Sequence, residues 1–235
     1  MNVTIPTENE AIDGYFSVPQ PEVSGAGPWP GVIVIHDAMG IRDDLREVID
    51  RFATAGYLAL APNLYSRGGV LRCMQGVARQ MLAGGGPAFE DLDAARRLVS
   101  ERADCTGKVG VVGFCMGGGF ALVAANREFD ACAPYYGHLP KDSSVFDDAC
   151  PIVASYGGKD RVLRKNAADK LGTVLAEKGV PHDVKEYPAA GHGFANRLPV
   201  GPFAALARIA GFGYHHESSE DAWRRVLAFF SEHLR

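Results

Sequence analysis

Two hydrophobic periods alternate along the chain. Six segments are strand-like apolar runs bounded by glycine, proline or polar turns, which is the pattern of buried parallel strands. They are residues 31–37, 57–62, 108–114, 130–137, 151–158 and 182–188. Between them, apolar residues recur at helical spacing, which predicts amphipathic helices. These helices cover residues 45–55, 88–103, 117–126, 163–178 and 218–234.

The alternation of strands and helices predicts a single α/β domain over residues 1–235. Repeated β–α units give a mostly parallel central sheet with helices on both faces, and a chain of this length is often one domain. We expect loops at residues 19–30 and 198–203, and a polar, partly helical segment at residues 63–86. The sequence contains no internal repeat and no linker that would divide it.

Composition narrows the class of protein. The 235 residues are 47% hydrophobic and 22% charged, with a net charge of −4 and no basic run, so we expect no nucleic-acid partner. No apolar run reaches the roughly 18 residues of a membrane helix, and the N-terminus lacks the pattern of a signal peptide. The five cysteines, an odd number without a CxxC pair, are expected to be reduced thiols of a cytoplasmic protein, with no zinc site.

The segment KVGVVGFCMGGGFALVAA, residues 108–125, gives the first chemical signal. A strand, the sequence Gly-x-Cys-x-Gly and a helix are the context of a nucleophile elbow, with Cys115 in the usual serine position. Gly113 and Gly117 have no Cβ to collide in so sharp a turn, and the N-terminus of the helix favours a thiolate. The alternative is a buried structural cysteine in a glycine-rich turn. A dinucleotide-binding turn and a phosphate loop both lack their motifs here.

A nucleophile needs a base, and the base needs an acid that orients it. His192 lies in AGHGFAN and Asp160 in SYGGKD, each in a glycine-flanked turn after a predicted strand. Together with Cys115 they lie beyond the C-terminal ends of strands, where open α/β sheets hold their sites. The order nucleophile, acid, histidine is that of the α/β-hydrolases. Each residue alone is more often an ordinary turn or surface residue, so the prediction depends on their combination.

The remaining histidines give weaker evidence of a functional role. His36 ends a buried strand, where we expect a packed ring hydrogen-bonded to the backbone; because it neighbours the site, it is also a candidate substrate contact. His215 and His216 precede Glu217, but consecutive residues do not share one face of a helix or strand. We therefore predict no metal site, and no other cofactor is required.

These motifs together resemble the dienelactone hydrolases, which are cysteine-dependent members of the α/β-hydrolase superfamily. The resemblance spans nearly the whole chain, and the motifs occur in the family's order. They are GVIVIHDAMG, GYLALAPNLYSR, EDLDAARRLV, KVGVVGFCMGG, GGKD and AGHGF. The cysteine elbow together with AGHGF is the most specific of them. The resemblance implies the α/β-hydrolase fold, with Cys115 as nucleophile, His192 as base and Asp160 as acid.

The resemblance also implies roles for residues around the nucleophile. The backbone amides of Met116 and Ala38 would form the oxyanion hole. Family members usually carry a glutamate that holds the resting thiol, and the matching residue here is Asp37. Because its side chain is shorter, we expect Asp37 to hold the thiol less firmly; the alternative is an ordinary turn aspartate.

Family enzymes that cleave dienelactone hold the substrate carboxylate with two arginines. One of them follows the histidine by four positions, which is Asn196 here, with Arg197 next to it. The other lies in the variable segment, where Arg72 and Arg79 are the candidates. Asparagine cannot supply the bidentate cation that a small carboxylate needs. The sequence therefore predicts weak activity on dienelactone itself.

The nucleophile limits the substrate. A thiolate leaves easily, so its adduct goes forward only when the other leaving group is better, as in enol lactones, activated esters and thioesters. We predict hydrolysis of a small ester or lactone through a thioester acyl-enzyme, by a monomer or small homo-oligomer that binds no membrane. Two alternatives stay open. One is a broad esterase or thioesterase unrelated to dienelactone, and the other is a non-catalytic protein whose Cys115 senses redox state.

Overall fold

The computed structural model describes residues 1–163, 165–197 and 212–235. These residues form a central β-sheet flanked by helices. The strands are β1 (Asn2–Ile5), β2 (Ile12–Ser17), β3 (Trp29–Ile35), β4 (Leu58–Pro62), β5 (Cys105–Phe114), β6 (Ala131–Tyr135), β7 (Ile152–Gly157) and β8 (His182–Tyr187). The helices are α1 (Pro21–Ser24), α2 (Asp43–Thr54), α3 (Gly69–Ala83), α4 (Pro87–Ser100), α5 (Met116–Ala124), α6 (Ala167–Glu177) and α7 (His216–Leu234), with a 3₁₀ turn at Ser143–Phe146.

The predicted mostly parallel sheet is confirmed. Among the described residues its eight strands lie in the order β1-β2-β4-β3-β5-β6-β7-β8. Strands β3 to β8 pair in parallel, whereas β2 pairs antiparallel with both β1 and β4. The sequence pattern did not predict β1 and β2. They are short strands near one edge of the sheet, and β2 buries only alternate residues, Ile12, Gly14 and Phe16, so neither forms a continuous apolar run.

Each face of the sheet carries its own hydrophobic core, as expected for helices on both faces. On one face, Phe89 of α4, Phe120 of α5 and Leu171 of α6 belong to a single buried cluster. On the other face, Phe52 of α2 packs against Trp223 of α7, with ring centroids 4.5 Å apart. Phe114, Tyr135 and Tyr187, at the C-terminal ends of β5, β6 and β8, belong to this second cluster as well.

Most predicted helices are found with shifted ends. The partly helical segment at residues 63–86 contains α3, which stops at Gly84 in the left-handed conformation with φ 74°. The predicted helix at 163–178 begins only at Ala167, because residues after β7 form a turn first. The loop predicted at residues 198–203 lies outside the described residues. No described helix combines the length and apolar character needed to cross a bilayer.

An ion pair to a buried carboxylate fastens the loop after β4 to α4. Both terminal nitrogens of Arg67 bind the carboxylate of Asp91, at 2.7 and 2.8 Å. The side chain of Asp91 is only 2% exposed. Arg67 also donates to the carbonyl oxygen of Glu10 at 3.0 Å. One guanidinium therefore joins three segments of the chain and neutralises a buried carboxylate.

Removing this guanidinium should destabilise the fold strongly. We expect Arg67→Ala to lower the free energy of unfolding by about 3 kcal/mol, because it leaves the Asp91 carboxylate buried without its partner. As a control, Arg224→Ala removes a largely exposed partner of Asp221, 3.5 Å away, and should cost less than about 1 kcal/mol. Urea unfolding measures both values, and an equally small loss in the two variants would show that the buried pair is not stabilising.

Candidate active site

Cys115 lies in the sharp turn between β5 and α5. Its backbone has φ 54° and ψ −112°, a conformation that residues with a side chain rarely adopt. Two glycines make the turn possible. A Cβ on Gly113 would overlap the backbone of Gly117, and one on Gly117 would lie 2.6 Å from the carbonyl oxygen of His36. The helix can therefore begin directly against the end of β3, with the thiol half-buried above the sheet.

His192 joins Cys115 to Asp160 through two hydrogen bonds. Its Nε2 lies 3.1 Å from Sγ of Cys115, and its Nδ1 lies 2.7 Å from Oδ2 of Asp160. The other carboxylate oxygen of Asp160 accepts from the amides of Val162 and Leu163, at 2.8 and 3.0 Å. The turns after β5, β7 and β8 thus bring together the three residues that the sequence combined into one site.

Burial and pairing together set the charges of this group. The side chains of His192 and Asp160 are 2% and 5% exposed. Burial opposes the ionisation of Asp160, but hydrogen bonds from His192 and two backbone amides outweigh it and hold the pKa of this carboxyl below its usual value. Burial also opposes a charged His192, yet the bonds to Asp160 and Cys115 raise its pKa to about 9. An imidazolium beside the sulfur is the partner that favours a thiolate.

Two aromatic side chains enclose the imidazole of His192. The rings of Tyr136 and Phe212 each lie 5.1 Å from it, centroid to centroid. Tyr136 is fully buried, has φ 40°, and donates its hydroxyl proton to Oδ1 of Asn196. Tyr136 is not recognisable from the sequence pattern, because the segment DACAPYYG has the pattern of a plain buried strand. Its position at the C-terminal end of that strand was the only available signal.

The loop after β3 lies beside the first turn of α5. The hydroxyl of Tyr65 donates to the carbonyl oxygen of Ala38 at 3.2 Å and lies 3.9 Å from Sδ of Met116. The amide of Gly40 donates to the carbonyl oxygen of Asp37 at 3.2 Å, which closes a tight turn around Ala38. Within the described residues, the amides of Ala38 and Met116 have no acceptor. Both N–H groups can therefore serve a ligand.

Asp37 has the second of the two roles considered for it, that of a turn aspartate. Its Oδ1 accepts from the amide of Met39 at 2.7 Å, and its Oδ2 lies 3.5 Å from a guanidinium nitrogen of Arg42. The thiol of Cys115 is hydrogen-bonded to His192 instead. The prediction that Asp37 holds the resting thiol is therefore wrong in this conformation, because its short side chain turns back onto its own loop as a turn aspartate does.

The two predicted substrate contacts after His192 are already engaged. Asn196 is 5% exposed and is bound to Tyr136, so it is not free to contact a substrate. Arg197 is exposed, lies 3.7 Å from a carboxylate oxygen of Glu47, and stacks over the ring of Tyr214 at 5.1 Å. The one-residue offset thus directs this guanidinium toward α2 and the start of α7.

The other predicted substrate contacts lie apart from one another. Arg72 and Arg79 are exposed on α3, and neither forms an ion pair with a described residue. His36 is completely buried, so the prediction of a substrate contact there is wrong. The expectation of a packed ring hydrogen-bonded to the backbone is confirmed: its Nδ1 lies 2.7 Å from the carbonyl oxygen of Asp37, and its Nε2 accepts from the amide of Leu64 at 3.2 Å.

Comparison with known proteins identifies relatives over nearly the whole chain. The model of the "Dienelactone hydrolase family" matches residues 12–234. A protein of Yersinia pestis named "Putative carboxymethylenebutenolidase" is 28% identical over 255 aligned positions, covering 98% of this chain and 87% of the relative. A protein of Methylorubrum extorquens with the same name is 29% identical and covers 98% of this chain and 80% of the relative.

Solved structures give the same picture of the fold. The crystal structure named "Putative Dienelactone Hydrolase" from Klebsiella pneumoniae is 26% identical, with a TM-score of 0.78 and 98% of each chain covered. A dienelactone hydrolase-like promiscuous phosphotriesterase from metagenomic libraries is 21% identical, with a TM-score of 0.82 over 100% of this chain and 99% of the other. At that identity the second likeness concerns the fold alone. The α/β-hydrolase fold expected from the sequence is confirmed.

Alkylation of Cys115 tests the coupling between its thiol and His192. The charged imidazole is stabilised below about pH 9 and is lost as the pH rises through that value. Near pH 6 we expect iodoacetamide to label wild type at least about tenfold faster than His192→Ala, with the difference shrinking above pH 9. Peptide mass spectrometry of the Cys115 peptide measures the rates, and His182→Ala is the control. Overlapping wild-type and His192→Ala profiles would contradict the coupling.

Proposed function

Because the chain belongs to the dienelactone hydrolase family, we propose that it hydrolyses small activated carboxylic esters or lactones with Cys115 as the nucleophile. The observation that carries this proposal is the series of hydrogen bonds from Cys115 through His192 to Asp160. A thiol, a base within reach of it and an acid that orients the base are the components of nucleophilic acyl transfer.

In the proposed acylation, the thiolate of Cys115 adds to the substrate carbonyl carbon. The carbonyl oxygen becomes an oxyanion, which accepts hydrogen bonds from the amides of Met116 and Ala38. As the bond to the leaving oxygen breaks, protonated His192 gives its proton to that oxygen. With an ester the alcohol is released, whereas with a lactone the freed oxygen stays attached to the acyl chain. In both cases the acyl group remains on Cys115 as a thioester.

In the proposed deacylation, a water molecule enters beside the thioester. Neutral His192 takes a proton from this water, whose oxygen attacks the thioester carbonyl, while Asp160 keeps the imidazole oriented. The second oxyanion uses the same two amides. It collapses with departure of the Cys115 thiolate, which pairs again with the imidazolium, and a carboxylic acid is released. Every group in the two steps belongs to the chain, the substrate or water.

The charges near the thiol favour a neutral substrate. Position 196 carries an amide that is bound to Tyr136, and the guanidinium of Arg197 is engaged by Glu47 and Tyr214. Up to residue 197, where its description stops, the loop that carries His192 therefore offers no free cation to a substrate carboxylate. This supports an esterase for neutral activated esters and lactones over an enzyme that depends on a carboxylate for binding.

Hydrolysis of p-nitrophenyl acetate tests the role of the thiol. We expect Cys115→Ala to abolish turnover, because no other nucleophile takes its place in the turn. Cys73→Ala removes another partly exposed thiol and should keep wild-type rates. His192→Ala should also lose turnover, which a redox-sensing thiol would not require. Equal rates in wild type and Cys115→Ala would refute the proposed nucleophile.

Steady-state kinetics on two substrates test the proposed preference. We expect kcat/KM for dienelactone to be about ten- to a hundredfold below that for a neutral activated ester of similar size, since one charge-assisted contact of about 1.5–3 kcal/mol is missing. Arg197→Ala should change neither value by more than about twofold, because this side chain is engaged elsewhere. A clear preference for dienelactone that disappears in Arg197→Ala would contradict this reading of the loop.

A further inference from the structure

We propose that His36 is a positioning residue that aims the amide of Ala38 at the carbonyl oxygen of the substrate. The inference rests on the proposed hydrolysis, because an oxyanion forms only when a carbonyl is attacked. Its structural basis is the 2.7 Å hydrogen bond between Nδ1 of His36 and the carbonyl oxygen of Asp37. His36 is fully buried and can act on a substrate only through this loop.

The short hydrogen bond from His36, together with the 3.2 Å bond from the amide of Gly40, fixes the orientation of one peptide. The carbonyl of Asp37 and the N–H of Ala38 belong to the same planar trans peptide, so they point in opposite directions. When the buried ring holds the carbonyl, the N–H of Ala38 must point away from the ring. A peptide turned over in this loop would present its carbonyl oxygen in place of the N–H, and that oxygen would repel an oxyanion.

A second hydrogen bond fixes the following peptide. The hydroxyl of Tyr65 donates to the carbonyl oxygen of Ala38 at 3.2 Å, and the ring of Tyr65 packs on that of His36 with centroids 4.7 Å apart. Tyr65 also approaches Met116, whose amide is the second proposed oxyanion donor. Ala38 is therefore held on both sides, beside the turn that carries the nucleophile.

The partners of His36 define its tautomer. Its Nδ1 faces a carbonyl oxygen and must carry a proton, whereas its Nε2 receives the amide proton of Leu64 at 3.2 Å and must not. A doubly protonated ring would repel that amide. Burial lowers the pKa of His36 to about 4, so the ring remains in the neutral form that both bonds require.

His36 bridges two loops, so its effect on one peptide must be separated from a general effect on stability. Two amide variants separate the contributions of its two hydrogen bonds, because each variant can keep only one of them. In His36→Asn, the side-chain nitrogen takes the place of Nδ1 and can still donate to the carbonyl of Asp37. In His36→Gln, the side-chain oxygen takes the place of Nε2 and can still accept from Leu64, while the bond to Asp37 is lost.

Three measurements on wild type and both variants test the inference: kcat and KM for p-nitrophenyl acetate, the rate of alkylation of Cys115 by iodoacetamide, and the thermal midpoint. We expect His36→Gln to lower kcat about ten- to a hundredfold, with KM and alkylation within about twofold, because alkylation forms no oxyanion. His36→Asn should retain kcat within about threefold of wild type, because it rescues the orienting bond.

Each remaining outcome decides against the inference or against the proposed function. Equal losses of kcat in the two variants, a fully active His36→Gln, or a parallel loss of alkylation overturns the inference alone. If His36→Gln does not fold, Tyr65→Phe replaces it: kcat should fall at least about threefold with alkylation unchanged, and an unchanged kcat overturns the inference. A wild type that is alkylated but does not turn over the ester overturns the proposed function and the inference with it.

Discussion

The close approach of the first turn of α5 to the end of β3 is the constraint on which the site depends. Gly117 lies against the backbone carbonyls of residues 35 and 36, where no side chain would fit. This contact puts Cys115 and the amide of Met116 next to the loop that carries Ala38. It requires the strained backbone of Cys115, which costs on the order of 1–3 kcal/mol and persists because the surrounding packing of buried α5 holds it.

The order of strands and helices and the cluster of Cys115, His192 and Asp160 could be predicted from the sequence because each leaves a local signal. Parallel strands are continuous apolar runs, and the residues that follow them meet at one edge of the sheet, so the sequence alone is enough to combine Cys115, Asp160 and His192. The two antiparallel strands leave a weaker signal: β1 and β2 are short and only half-buried, and the hydrophobic pattern did not reveal them.

Side-chain roles that depend on hydrogen-bond partners could not be predicted in the same way. Nothing in the sequence says whether Asp37 turns to the thiol or to the amide of Met39, because the choice depends on the shape of the turn. His36 was expected to be packed, but its bond to the carbonyl of Asp37 gains meaning only once the adjacent amide is seen to lack an acceptor. Tyr136 and Asn196 form a pair across 60 residues of sequence, which no local pattern reveals.

The central claim is that catalysis passes through an acyl group carried by Cys115. Rapid acid quenching during turnover of p-nitrophenyl acetate, followed by peptide mass spectrometry, tests it most directly, because thioesters survive in acid. We expect one acetyl group on the peptide that contains Cys115, formed within the first turnover. Continued hydrolysis with Cys115 unmodified at every quench time, or an acetyl group on another residue that forms at the rate of turnover, would contradict it.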